Sequence, residues 1–103
     1  MLELLKRMFA KSAKTDFALL IEEGALIVDV RSRNEYASGH LKNSVNIPLN
    51  ELSDQLKKLK QGRTIITCCA SGMRSSSAKN ILQSKGFTVY NGGSWSSLNK
   101  YIS

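Results

Sequence analysis

The 103-residue chain has few of the features that would announce a class. It has two cysteines, Cys68 and Cys69, and they are neighbours. Such a pair cannot build a disulfide framework, and a bond between adjacent residues is strained. It has one histidine, His40, too few ligands for a zinc site with these thiols. A Cys–His protease finds no further support. No run nears the roughly 18 apolar residues a membrane span needs. The opening stretch, "MLELLKRMFAKSAK", lacks the continuous apolar core of a secretory signal. These absences predict a reducing, cytoplasmic setting in which thiols stay free. Internal repeats and low-complexity segments are missing too. Acidic residues are scarce, 8 against 15 Lys and Arg, which leaves a net charge of +7. That balance suits nucleic acid, an anionic membrane or an anionic small substrate. The basic residues are scattered, however, and no basic motif interleaved with aromatics occurs. A solvated basic surface is expected, with no nucleic-acid partner.

What is present fits one small α/β domain. The composition, 42% apolar and 22% charged, is that of a globular chain rather than a disordered one. Residues 2–9 repeat apolar positions at helical spacing (Leu2, Leu5, Phe9 and Leu4, Met8). We read 1–14 as an amphipathic helix and linker, with the domain proper over 15–103. A single short basic helix anchors weakly, so no membrane contact is expected. Thr15 or Asp16 can cap a helix "FALLIEE" that ends at Gly24. "ALIVDV" (25–30) reads as a buried strand, 33–39 as a short helix, and 44–48 as a brief strand closed by proline. Residues 50–60 carry Leu52, Leu56 and Leu59 on one helical face, with Asn50 as cap. "TIITC" (64–68) is a buried strand and 74–85 a helix with Ala78, Ile81 and Leu82 inward. "FTVY" (87–90) is a further strand, "NGGS" a loop, and "WSSLNKYI" a final helix. Strands that alternate with helices predict a mostly parallel sheet covered on both faces. Such sheets bind ligands beyond the carboxyl ends of their strands, where Asp29 and the cysteine pair fall.

The stretch "ITCCASGMRSSSA" (66–78) runs from strand through a short turn into a helix. A side chain at such a turn faces unpaired amides and the partial positive charge of the helix start. Gly72 permits backbone angles other residues resist, and successive N–H groups in a tight loop converge on an anion. Ala70 and Ser71 are small and would leave a narrow, open approach. Arg74 adds a fixed positive charge. All of this favours thiolate over thiol. Cys68 continues the strand alternation and should point inward, while Cys69 begins the turn. We therefore assign Cys69 as the candidate nucleophile, against the alternative of two inert core thiols.

Four segments in this order resemble the rhodanese-like, single-domain sulfurtransferase family: "LIVDVRSRNEY", "SGHLKNSVNIPL", "TCCASGMRSSSA" and "GFTVYNGGSWSSL". The resemblance runs from about residue 16 to the C-terminus. It implies a rhodanese fold, a mostly parallel five-stranded sheet with helices on both faces. It implies that Cys69 takes up a sulfane sulfur as a persulfide, with Ala70, Ser71, Gly72, Met73, Arg74 and Ser75 forming the loop that binds substrate. The loop Cys69 to Arg74 has the length of sulfur-handling members, whereas phosphatase-like members carry one residue more. Asp29 and Arg31 occupy the family's "DVR" positions, Glu35 an acidic position that can pair with Arg74, and Gly39 with His40 its Gly-His turn. These four, Asp29, Arg31, Glu35 and His40, have supporting roles. Arg74 would then either orient the loop or touch substrate. Gly92, Gly93 and Trp95 match the closing stretch, with Trp95 as a core anchor. Cys68 departs from the family, where tyrosine or another apolar residue is common, and raises the prospect of a second thiol that resolves an oxidised Cys69.

The implied activity is sulfur transfer from thiosulfate or a persulfide donor to a thiol or cyanide. It needs a small anionic donor, a thiol acceptor that can belong to a partner protein, and no metal or organic cofactor. The rivals are a persulfide carrier without turnover and a phosphatase-like oxyanion enzyme.

Overall fold

The computed structural model describes residues 15–102. The expected N-terminal helix and linker at 1–14 lie outside them.

Helix α1 (Phe17–Glu22) starts where the Asp16 side chain accepts the Leu19 N–H at 3.1 Å, so Asp16 is the cap. Gly24 stops it in a left-handed conformation, φ +98°. Strand β1 (Leu26–Asp29) follows, then α2 (Arg33–Ala37) behind a capping box of Ser32 and Glu35. Strand β2 (Val45–Asn46) is short. Strand β3 (Ile65–Cys69) leads into α3 (Met73–Ser84), and β4 (Val89–Ser94) into α4 (Trp95–Leu98). The sheet is wholly parallel in the order β2-β1-β3-β4. Four strands, not five, are present among the described residues, because the other described segments are helical turns and loops. In register, Asp29 of β1 sits opposite Cys68 of β3, which brings both strand ends together at one rim.

Alternation along β3 divides the core in two. Ile65 and Cys69 face the layer of α3 with Val28, Leu52, Ala78, Leu82 and Val89. Ile66 and Cys68 face the other layer with Ile27, Leu41 and Leu98, against Phe17, Trp95 and Tyr101. Each fully buried Leu or Ile contributes about 1.5–3 kcal/mol relative to exposure. The two neighbouring thiols thus belong to opposite sides of the sheet.

Three expectations are corrected. Residues 50–60 form two 3₁₀ segments, Leu49–Asp54 and Leu56–Lys58, after Pro48, and Asn50 caps nothing. Gln55, at φ −115° and ψ 21°, interrupts them. Leu52 and Leu59 are still buried and Leu56 packs against them, because a three-residue turn keeps 56 and 59 on one side. The closing helix is α4 plus a 3₁₀ turn, Asn99–Tyr101. Finally, "NGGS" is no loop: β4 runs through it, with a register shift between Thr67 and Cys69. Gly92 is buried there, and a Cβ on it would meet Leu98 Cδ1 at 2.7 Å, Ile66 Cγ2 at 2.8 Å and the Thr67 carbonyl at 2.9 Å. This glycine serves close packing rather than a turn.

Candidate active site

Cys69 is the last residue of β3, not the first of the turn, and the chain folds over its sulfur before α3 begins. Ala70 and Ser71 are exposed at the top of this loop. Gly72 precedes α3 with φ +99°, a left-handed angle that turns its N–H inward. That N–H donates to Cys69 Sγ at 2.9 Å, and the Ser75 N–H donates at 3.4 Å. The thiol itself reaches Ser75 Oγ at 3.5 Å. Burial alone would push this thiol up. The Ser75 hydroxyl and the amides of Ser75, Gly72 and Ser71 outweigh burial and hold Cys69 below the ordinary thiol value.

The predicted open approach is not found. Cys69 has 0% of its surface exposed, since the loop that supplies the amides also roofs the sulfur. Met73, by contrast, opens α3 at 80% exposure. A cleft of about 400 Å³ beside Arg74 is lined by Val30, Ser32, Pro48, Leu49 and Asn50. A second cleft of that size opens near Ala25, Lys42 and Arg63, and no cysteine lines it.

Arg74 is engaged by Glu35. Its Nη1 and Nη2 donate to Oε1 and Oε2 at 2.7 and 2.9 Å. This pairing, with the Ser32 amide next, holds the Glu35 carboxyl down at about 2. Glu35 thus ties the capping box of α2 to the first turn of α3.

Asp29 and Arg31 form a buried two-pronged pair, with Nε to Oδ1 at 3.0 Å and Nη2 to Oδ2 at 2.8 Å. Two further guanidinium donors reach the carbonyls of Gly39 at 2.7 Å and Glu35 at 3.3 Å. The Arg31 guanidinium also lies 4.7 Å above the centre of the Trp95 ring. With four of its five N–H donors used inside the fold, Arg31 braces the rim. His40 is exposed, with its ring stacked on Tyr36 at 3.8 Å and Nδ1 2.7 Å from the Tyr36 carbonyl. It locks the turn after α2 rather than entering the sulfur cradle.

Of the residues singled out in sequence, Cys69, Gly72 and Ser75 converge on the sulfur. Ala70, Ser71 and Met73 line the outside of the loop, and Arg74 with Glu35 flanks it. Asp29, Arg31 and His40 stand one layer back. Two further residues escaped sequence reasoning. Thr67 Oγ1 donates to the Ser75 carbonyl at 2.9 Å, and Asn91 Oδ1 lies 2.6 Å from Ser75 Oγ. The alternation of β3 could have flagged Thr67; Asn91 was hidden in what reads as a turn.

The model of the rhodanese-like domain matches residues 13–98. The chain belongs to the rhodanese-like domain family. This rhodanese-like domain is 35% identical over 79 residues to a tRNA sulfurtransferase of Thermoplasma acidophilum, covering 75% of this chain and 16% of that protein. It is 32% identical over 69 residues to the thiosulfate sulfurtransferase GlpE of Pseudomonas savastanoi pv. phaseolicola, covering 67% and 65%. The solved human single-domain sulfurtransferase superposes with a TM-score of 0.69 at 27% identity, covering 84% of this chain and 90% of that one. The domain therefore spans less than two-thirds of the Thermoplasma and Pseudomonas relatives, and only a small part of the first. Rhodanese-type sulfur transfer is the chemistry these names share. Among the described residues, no helix is long and apolar enough to cross a membrane.

Proposed function

We propose that this domain is a sulfurtransferase of the thiosulfate type, with Cys69 as the nucleophile. The observation that carries the reading is the pair of donors on one sulfur: the Gly72 and Ser75 amides at 2.9 and 3.4 Å. They lower the cost of a buried thiolate. The thiolate attacks the outer sulfur of thiosulfate, a new S–S bond forms, and the old one breaks with its electron pair leaving on sulfite. The enzyme then carries a persulfide anion. A thiolate or cyanide attacks the outer sulfur, and the electron pair of the Cys69–sulfur bond returns to Cys69. The cycle calls on no metal or organic cofactor. The loop from Ala70 to Ser75 supplies the amides for both anions, Arg74 and Glu35 hold its shape, and the charge of +7 draws anionic donors to the surface. The loop must lift to admit a donor, since the sulfur is roofed.

That roof favours a second reading, a carrier that loads one sulfur and releases it only to a partner protein. Intact mass after thiosulfate treatment tests the thiol assignment: one sulfur atom is gained by the wild type and by Cys68→Ser, and none by Cys69→Ser. Loading in Cys69→Ser overturns the assignment. Thiosulfate:cyanide turnover then separates the readings: the transferase saturates with thiosulfate, while the carrier loads once and turns over negligibly.

A further inference from the structure

The Ser75 hydroxyl has one proton and three acceptors around it. Asn91 Oδ1 is at 2.6 Å, the Gly72 carbonyl at 3.0 Å and Cys69 Sγ at 3.5 Å. The orientation of Asn91 is set by its other contact, the Gly93 N–H at 2.9 Å, which can only donate and so must face Oδ1. An oxygen at 2.6 Å from Ser75 Oγ then requires the hydroxyl proton between them. The Gly72 carbonyl has other donors, the Ser76 N–H at 3.2 Å and Asn91 Nδ2 at 3.5 Å. Ser75 consequently turns its lone pairs to the sulfur, an arrangement that accepts from S–H and offers nothing to S⁻.

We propose that Asn91 is a positioning residue for Cys69: its side-chain oxygen holds the Ser75 proton and so decides whether that proton is offered to the sulfur. Ionisation of Cys69 requires the Ser75 hydroxyl to rotate from Asn91 to Sγ, while the Gly72 and Ser75 amides keep their bonds. Asn91 thereby favours the thiol in the empty enzyme. The inference rests on Cys69 being the reacting sulfur.

The other ionisable groups around the sulfur stay constant in the test. Arg74 stands on α3, held by Glu35 of α2; Asp29, paired with Arg31, ends β1. Cys68 shares β3, and β4 contributes only Tyr90, which is separated from Asn91 by the strand alternation. Every variant carries Cys68→Ala, which leaves Cys69 as the single thiol. The probe is iodoacetamide, and the readout is the pH midpoint of its reaction rate. Asn91→Ala should lower the midpoint by about one pH unit, the scale of a hydrogen bond gained by an anion. Asn91→Asp keeps the shape, adds an acceptor charge and should raise the midpoint. In a Ser75→Ala background Asn91→Ala should shift nothing. A merely structural role would slow or speed labelling at all pH values alike. An unmoved or raised midpoint in Asn91→Ala, or an equal shift without Ser75, overturns the proposal. Should Asn91→Ala fail to fold, a lowered or unmoved midpoint in Asn91→Asp overturns it too. If thiosulfate loads Cys69→Ser, the function reading fails; if the wild type and Cys68→Ser load, Cys69→Ser does not, and the midpoints stay fixed, this inference alone fails.

Discussion

One peptide bond separates Cys68 from Cys69, and the two sulfurs sit in different solvents. Cys68 lies among Ile27, Leu41, Ile66 and Leu98, and Cys69 meets the amides of Gly72 and Ser75. Burial drives the Cys68 thiol well up, the nearby Asp29 carboxylate drives it further, and Arg31 only partly opposes them. Burial acts on Cys69 as well, but there the donors win. Both residues have 0% exposure, so burial alone does not decide what a cysteine can do. What decides is whether the backbone aims donors at the sulfur.

The sharpest way to break the comparison is exchange. Cys69→Ser should abolish sulfur uptake, seen as loss of the mass gain after thiosulfate, while Cys68→Ser should keep it. Uptake lost equally in both would erase the distinction. Next in size is the cost of Gly92, which lets β4 close against β3 behind the cradle. Gly92→Ala forces a methyl into atoms under 3 Å away and should destabilise by about 1–3 kcal/mol in urea unfolding. Cys68→Ser puts a hydroxyl among apolar side chains and should cost a similar or smaller amount, about 1–2 kcal/mol, by the same measurement.

The pH dependence of the two thiols has opposite sign. The folded value of Cys69 is depressed, so its contribution to stability is present above the unfolded thiol value and is lost as pH falls through the folded one. The folded value of Cys68 is raised, so its contribution is full below the unfolded value and is lost as pH rises toward the folded one. Chemical denaturation of each single-cysteine variant between pH 6 and about 10 should therefore show slopes of opposite direction near the usual thiol range of about 8.5. The smallest effect is expected at the flank. Glu35→Gln removes the charge from a half-exposed pair and should cost under about 1 kcal/mol of stability. It should also slow sulfur loading by releasing Arg74. Since the Glu35 carboxyl is held at about 2, this pair strengthens the fold above the unfolded carboxylate value and fades only as pH falls toward that number.

The opposite placement of the thiols was legible because strand alternation is a local rule. The capping of α1 by Asp16 and the strands at 25–30 and 64–68 were legible for the same reason. The sulfur's roof was not, since it depends on how far the loop folds back over the end of β3. Nor was the strand character of 91–94. A Gly-Gly pair reads as a turn until Leu98 and Ile66 are seen to crowd Gly92, and both contacts are tertiary. With that strand misread, Asn91 could not be placed beside Ser75. The 3₁₀ segments at 49–58 show the reverse: the apolar stripe was right, although the turn that carries it is tighter.

Arg31 touches the end of β1, the carbonyls of Glu35 and Gly39, and the face of Trp95, the sole tryptophan. One guanidinium thus knots together parts of the chain that are remote in sequence. Fluorescence of that indole becomes a built-in reporter on the rim that carries the reactive thiol. On heating, the emission change and the unmasking of Cys69 should coincide in a single cooperative step.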